Sequence, residues 1–355
     1  NSDLLIFLDP FTDPYSTGSS LRNQLVSTIN NTITNDDYDV GHLFHSEANR
    51  KYGNAGCIAC VCTNGEKGQA YSVHGSPDSD DMNLLAAHEF GHQFGAYHTQ
   101  SSRNCRSGIN SEVEPGSGST IMSYAGICPP NVQGGADDYF NYTSIRDVAN
   151  WTINSSSCAE LIPITNSAPI IVQGRDYAIP ISTPFVLEGS ASDSNGDETL
   201  TYCWEQNDTE DPGNTNSPQS TNLVGPMFRS LPPAASEKRY FPNLDDVLAN
   251  NLTPTWEVLP SVSRPLNFVM TVRDNDIQGG QIASDAILVN VDSGAGPFVV
   301  TTQNDNTEVW TVGDLVTVSW NVANTDAAPI NTSEVEILLS TDGGQTFSNS
   351  LIVTN

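Results

Sequence analysis

The sequence predicts a multidomain chain, with an α/β region over residues 1–162 followed by all-β, immunoglobulin-like sandwich regions over 168–292 and 297–355. Two observations carry this. Apolar residues at helical spacing, mixed with strand-like runs, recur up to about residue 160 and then almost disappear. After "CAELIPITNSAPI" prolines, glycines and short alternating runs take over, with a second break at "DSGAGP", residues 292–297.

The elements follow in order. "LLIFLDPF" reads as a buried strand. "SSLRNQLVSTINNTI" places Leu21, Leu25, Ile29 and Ile33 four apart, which gives a helix one apolar stripe. "QAYSVHG" at 69–75 is a short strand. In "SPDSDDMNLLAA" Ser79 or Asp80 can cap a helix whose acidic first turn suits the positive end of its dipole. "YFNYTSIRDVANWTI" closes the region as a helix through Ile145, Val148, Ala149 and Trp151. Further on, "LNFVMTVRDN" alternates Leu266, Phe268, Met270 and Val272 on one face, as a half-buried strand does, and "AILVNV" at 286–291 repeats the pattern. "DLVTVSW" and "SEVEILLS" are strands of a last sandwich that the end of the chain cuts off.

Composition narrows the function classes. The chain has 355 residues, with 42 Asp and Glu against 13 Lys and Arg, a net charge of −29. Such a surface repels nucleic acid and anionic membranes, so neither is an expected partner. No apolar run approaches the roughly 18–20 residues of a membrane span, and no signal peptide is visible. Six of the seven cysteines, at 57, 60, 62, 105, 128 and 158, fall in the first region. They are compatible with three disulfides, and sequence does not select among the pairings. Disulfides imply an oxidising, extracellular compartment, and Cys203 is left as a buried free thiol.

"HEFGHQFGAYH" at 88–98 holds three of the six histidines. On a helix, positions i and i+4 project together, so His88 and His92 can share one zinc ion. Gly95 permits a backbone reversal that returns His98 as a third ligand. Three protein ligands leave one coordination position open, the catalytic arrangement rather than the structural one. Glu89, one residue round from His88, is placed for proton transfer.

This motif, followed by "STIMSYAG" at 119–126, resembles the metzincin metallopeptidases. The longer stretch "EPGSGSTIMSYAGIC" is similar to secreted bacterial relatives of the adamalysin (reprolysin) family, a resemblance that covers roughly residues 1–160. It implies that His88, His92 and His98 bind zinc, that Glu89 is the general base, and that Met122 is a structural floor. Three departures stand out. Thr99 occupies the place of an aspartate that better-known members carry after the third histidine and that usually anchors the fold. Tyr124 follows Met122 by two, the spacing at which astacins and serralysins carry a zinc-reaching tyrosine, so it is either a transition-state donor or a packed ring. The family's usual first strand and long helix have no room before residue 88. Either the chain begins after an internal cleavage, with the missing piece as a separate chain, or the domain is compact.

"FVLEGSASDSNGDETLTYCWEQND", around Trp204, resembles PKD- and cadherin-like sandwich domains. Asp193, Asn195, Asp197 and Glu198, with Asp274 and Asp276, could supply oxygens to Ca²⁺, or form an ordinary Asp/Asn/Gly turn. "STDGGQTF" resembles an Asp-box but, as a single copy, reads as a hairpin turn. The expected function is a secreted zinc endopeptidase acting on extracellular proteins, with extended substrate pairing along the 69–75 strand and "AGICPPNVQGG" shaping a side-chain pocket. The alternative is a cell-surface adhesin or carrier, attached through sequence not present here, whose sandwiches bind a surface or glycan and whose zinc domain serves only self-processing.

Overall fold

The computed structural model describes the chain apart from residues 1, 10, 77, 156, 159, 161, 173, 197–199, 214–216, 278, 306, 312, 345, 348 and 355. It divides into two compact units, Asn1–Thr165 and Asn166–Asn355. No helix among the described residues is long and apolar enough to cross a membrane.

The first unit is built from α1 (Leu21–Thr32), β1 (His42–His45), β2 (Lys51–Ala55), β3 (Ala70–His74), α2 (Asp80–Gln93) and α3 (Tyr142–Ser155). The strands order as β1-β3-β2, with β1 parallel and β2 antiparallel to β3. Because strand side chains alternate, Leu43, Tyr71 and Val73 face α1, whose buried Leu21, Leu25 and Ile29 meet them in one cluster. His42 and Ser72 point the other way, where His42 stacks on Phe90 of α2 at 4.4 Å. The sheet is therefore held between the two helices.

Two expectations are corrected here. "LLIFLDPF" is not a buried strand: Ser2–Leu5 form a 3-10 turn, and Leu8 and Phe11 are more than nine-tenths exposed. Among the described residues no strand pairs with this run, and apart from Leu5, which packs against the α1 cluster, its apolar side chains stay largely exposed. The 69–75 strand is not an edge either, since β3 lies between β1 and β2 and both of its sides are paired. The edge belongs to β2.

Three disulfides join Cys57 to Cys60, Cys62 to Cys158 and Cys105 to Cys128, while Cys203 is free and buried. The Cys57–Cys60 loop has a structural task. The backbone N–H groups of Ala59 and Cys60 donate to the carbonyls of His92 and Gln93, each at 2.9 Å, and so tie the loop to the last carbonyls of α2.

The second unit is strand-rich. It contains β4 (Ile170–Val172), β5 (Tyr177–Pro180), β6 (Phe185–Glu188), β7 (Ser190–Ser192), β8 (Thr201–Gln206), β9 (Lys238–Phe241), the short helix α4 (Leu244–Leu248), β10 (Arg264–Arg273), β11 (Ile282–Asp292), β12 (Val299–Val300), β13 (Trp320–Asn321), β14 (Val335–Leu339) and β15 (Asn349–Thr354). A four-stranded sheet runs β5-β11-β10-β8, and the β6/β9 pair shares one core with it through Leu187, Trp204, Phe241, Leu266, Phe268 and Met270. The alternating Leu266, Phe268, Met270 and Val272 are all buried, but Val269 and Thr271 are buried too, so β10 is covered on both faces over its later half. "DLVTVSW" contributes only Trp320 to a paired strand, where a longer one was expected.

Around the expected calcium set, Asn195 N donates to Asp193 Oδ1 at 2.7 Å, and Asp276 N and Gln281 N donate to Asp274 Oδ1 at 3.1 and 2.9 Å. The bonds within 193–195 and 274–276 are of the Asx-turn type, and the one from Gln281 closes the loop that follows Asp274. Asp197 and Glu198 lie outside the described residues.

Candidate active site

The site grows from α2. Ser79 caps the helix by accepting from Met82 N at 3.3 Å, and Asp80 and Asp81 supply negative charge in the first turn. The helix stops at Gln93. Gly95 adopts φ +104°, a left-handed conformation that a side chain would strain, and Ala96 N closes the turn by donating to Gly91 O at 2.8 Å. The chain then reverses and brings His98 back over the helix.

The imidazoles of His88, His92 and His98 converge. The Nε2 of His98 lies 3.2 Å from that of His88 and 3.0 Å from that of His92. His88 Nδ1 donates to Ile121 O at 2.7 Å, and His92 Nδ1 to Ala96 O at 2.8 Å. Carbonyls only accept, so these bonds fix the tautomer and turn both Nε2 lone pairs inward. Burial pushes His88 down to about 4 and His98 down to about 3, and lowers His92 as well, so all three are neutral at neutral pH. Lone pairs facing one another cannot satisfy each other: a single proton on His98 Nε2 could serve one contact and not both. A cation satisfies all three. Two nitrogens about 2.0–2.1 Å from one tetrahedral zinc lie about 3.3 Å apart, close to the spacing observed. Among the described residues this triad is the cluster of His, Cys, Asp and Glu side chains that could hold a metal ion.

Glu89 is buried beside the triad, in the wall of a cleft of about 750 Å³. Burial holds its carboxyl up to about 7, offset in part by a hydrogen bond from the Ala55 backbone. Gly53 of β2 packs directly on it, and a Cβ there would overlap Glu89 Oε1. Met122 is fully buried under the helix, with its sulfur against Gly91. Tyr124 packs its ring, tilted, 4.3 Å from that of His98 and is half-buried, and its phenol is raised by burial and by the charge of Glu89. The β2 strand forms one wall of the cleft, and Leu84, Leu85, Ile121 and Ile127 line it with apolar surface.

Sequence reasoning missed several supports. His42 Nδ1 donates to Gln93 Oε1 at 3.0 Å while Gln93 Nε2 donates to Gly41 O at 3.0 Å, which ties the end of α2 to β1. Their only signal was a polar pair in an otherwise apolar setting. Ser107 and Ile109 reach the cleft from a loop with no motif. Glu114 opens the stretch "EPGSGSTIMSYAGIC" with no spacing that marks a role, and it proves to be a buried acceptor for the turn before Met122.

Residues 3–153 match the family described as metallo-peptidase family M12B, reprolysin-like. The match supports a metzincin-like zinc peptidase domain in the first unit, and so a hydrolase acting on protein or peptide. Comparison with curated proteins returned no match.

Proposed function

We propose that residues 1–162 form a secreted zinc endopeptidase domain, and that 168–292 and 297–355 are β-sandwich domains appended to it. One observation carries this reading: three neutral imidazoles converge beside a buried carboxylate in the wall of an open cleft. His88, His92 and His98 are the metal-holding residues. Zinc bound there would polarise a peptide carbonyl and make water more acidic. Glu89 takes a proton from the attacking water and hands it to the departing amine, acting first as base and then as acid. A carboxyl held near neutrality by burial is suited to both roles. No covalent link to the enzyme is needed.

An extended substrate pairs with the outer edge of β2, backbone to backbone, while the apolar lining takes one of its side chains. Met122 keeps the floor rigid, and Tyr124 packs against His98. The three disulfides fit an oxidising, extracellular setting.

Casein hydrolysis that is abolished by a chelator and restored by zinc tests the activity; a chain that never cleaves casein returns the choice to the adhesin reading. Glu89→Ala is expected to keep its zinc and lose about 10²–10⁴-fold in turnover. Near-normal turnover with zinc bound would remove Glu89 from the mechanism.

A further inference from the structure

We propose that Glu114 is the positioning residue for the third histidine: its buried carboxylate locks the segment carrying His98 to the turn carrying Met122. This rests on the triad being a metal site. The three histidines are not held alike. His88 and His92 ride on a helix, and each ring is fixed by an Nδ1 bond to a backbone carbonyl. His98 lies on a loop beyond Gly95 and has no such Nδ1 bond among the described residues. Its orientation has to come through its neighbours.

The next residue supplies the link. Thr99 is fully buried, and its Oγ1 donates to Glu114 Oε1 at 2.6 Å. Its N–H donates to Met122 O at 3.2 Å and its carbonyl accepts from Glu114 N at 2.9 Å. The other carboxylate oxygen, Glu114 Oε2, accepts from Ser119 N at 2.7 Å, Thr120 N at 3.2 Å and Ser119 Oγ at 3.3 Å. Thr120 Oγ1 bonds Oε1 as well. Ile121, the next residue along, provides the carbonyl that fixes His88. One carboxylate, 1 % exposed, thus sits where the supports of the first and third histidines meet. Hydrogen bonds to a buried carboxylate are the strong kind, and partners bonded directly to a metal ligand typically set about 10–100-fold in metal affinity, which bounds the effect of Glu114, one residue removed through Thr99.

Glu112 is a matched control. It is equally buried and also accepts from backbone, at Gly108 N, while pairing with Arg106 at 2.7 Å, yet among the described residues it has no bond to Thr99 or to the 119–122 turn. Both Glu→Gln variants should lower thermal stability. In the full chain, zinc affinity by chelator competition and the visible spectrum of the cobalt(II)-substituted protein separate them. Glu114→Gln is expected to weaken zinc binding, by at most about 10–100-fold, and to alter the cobalt spectrum, while Glu112→Gln leaves both unchanged. Unchanged affinity in Glu114→Gln, or equal losses in the two variants, overturns the proposal. Should Glu114→Gln fail to fold, Thr99→Val removes one donor and keeps the carboxylate; a loss toward the lower end of that range supports the link, and no loss overturns it. A native chain that binds no zinc fails the metal-site reading itself, a separate and visible result.

Discussion

Both units bury polar groups, the second among them the Arg239–Glu257 and Arg264–Asp208 pairs, but they differ in how much apolar core surrounds those groups. In the second, one apolar cluster runs from Leu187 to Val291, with Phe185, Phe228, Phe241 and Phe268 in mutual ring contact. In the first, the apolar clusters are smaller and separate, and the stretch from His88 to Ser123 buries Glu89, His92, Thr99, Glu112, Glu114 and Thr120. All three disulfides lie in the first unit. Hydrophobic burial is strong but non-directional, so it makes a stable layer without fixing any polar atom. A reactive site needs atoms held to a fraction of an ångström, and directed hydrogen bonds with covalent cross-links do that at the expense of core.

The contrast can be broken most forcefully in the apolar core. Phe268→Ala removes a fully buried ring 4.8 Å from Phe241 and should cost about 3–5 kcal/mol. Calorimetry of the zinc-loaded chain should show the second unit's transition falling alone. If both transitions fall together, the units are not energetically separate.

Next in size is the Cys62–Cys158 bridge, which spans 96 residues of the first unit. Replacing both cysteines by serine should destabilise that unit by roughly 2–5 kcal/mol, through the unfolded chain it no longer constrains. Chemical denaturation followed by a probe in each unit would reveal it; an unaffected first unit would mean its polar network suffices.

A smaller effect is expected from pH. Burial pushes His42 down to about 4 from an ordinary value near 6.5, against a weaker opposing pull from its bond to Gln93. The unfolded chain then binds a proton that the folded one refuses, so this stability is present above pH 6.5 and is lost as pH falls toward 4. The triad histidines of the chelated protein shift the same way. Glu89, raised to about 7, has the opposite sign: it makes the folded state lose stability as pH rises from its ordinary 4.5. Melting temperatures of the chelator-treated protein should therefore drop between pH 6.5 and 4, and less steeply in His42→Gln. Equal slopes would show that His42 does not contribute.

The smallest change is expected at Tyr124→Phe. The ring packs on His98, and the variant keeps that contact while losing the hydroxyl. Turnover should stay within about twofold. A fall approaching the roughly 2.7–4 kcal/mol of a lost oxyanion donor, with KM unchanged, would make the phenol a reactant.

The sequence by itself determined the elements whose information is local. Four-residue spacing placed α1, since one helical turn stacks Leu21, Leu25 and Ile29. The same rule brought His88 and His92 together, and Gly95 announced the turn that returns His98. Alternation placed β10 and β11. Other features depended on what lies across the fold. "LLIFLDPF" has the composition of a strand, but a strand needs a pairing partner, and composition does not supply one. Whether β2 or β3 is the edge depends on strand order, which pairing between distant segments sets. The three cysteine pairings, the seat of Gly53 on Glu89, and the carboxylate of Glu114 between Thr99 and Ser119 are likewise contacts between separated stretches. Periodicity records which face of an element is buried. Only the packed chain decides what that face meets, because each such contact is made by two segments and neither carries the other's position.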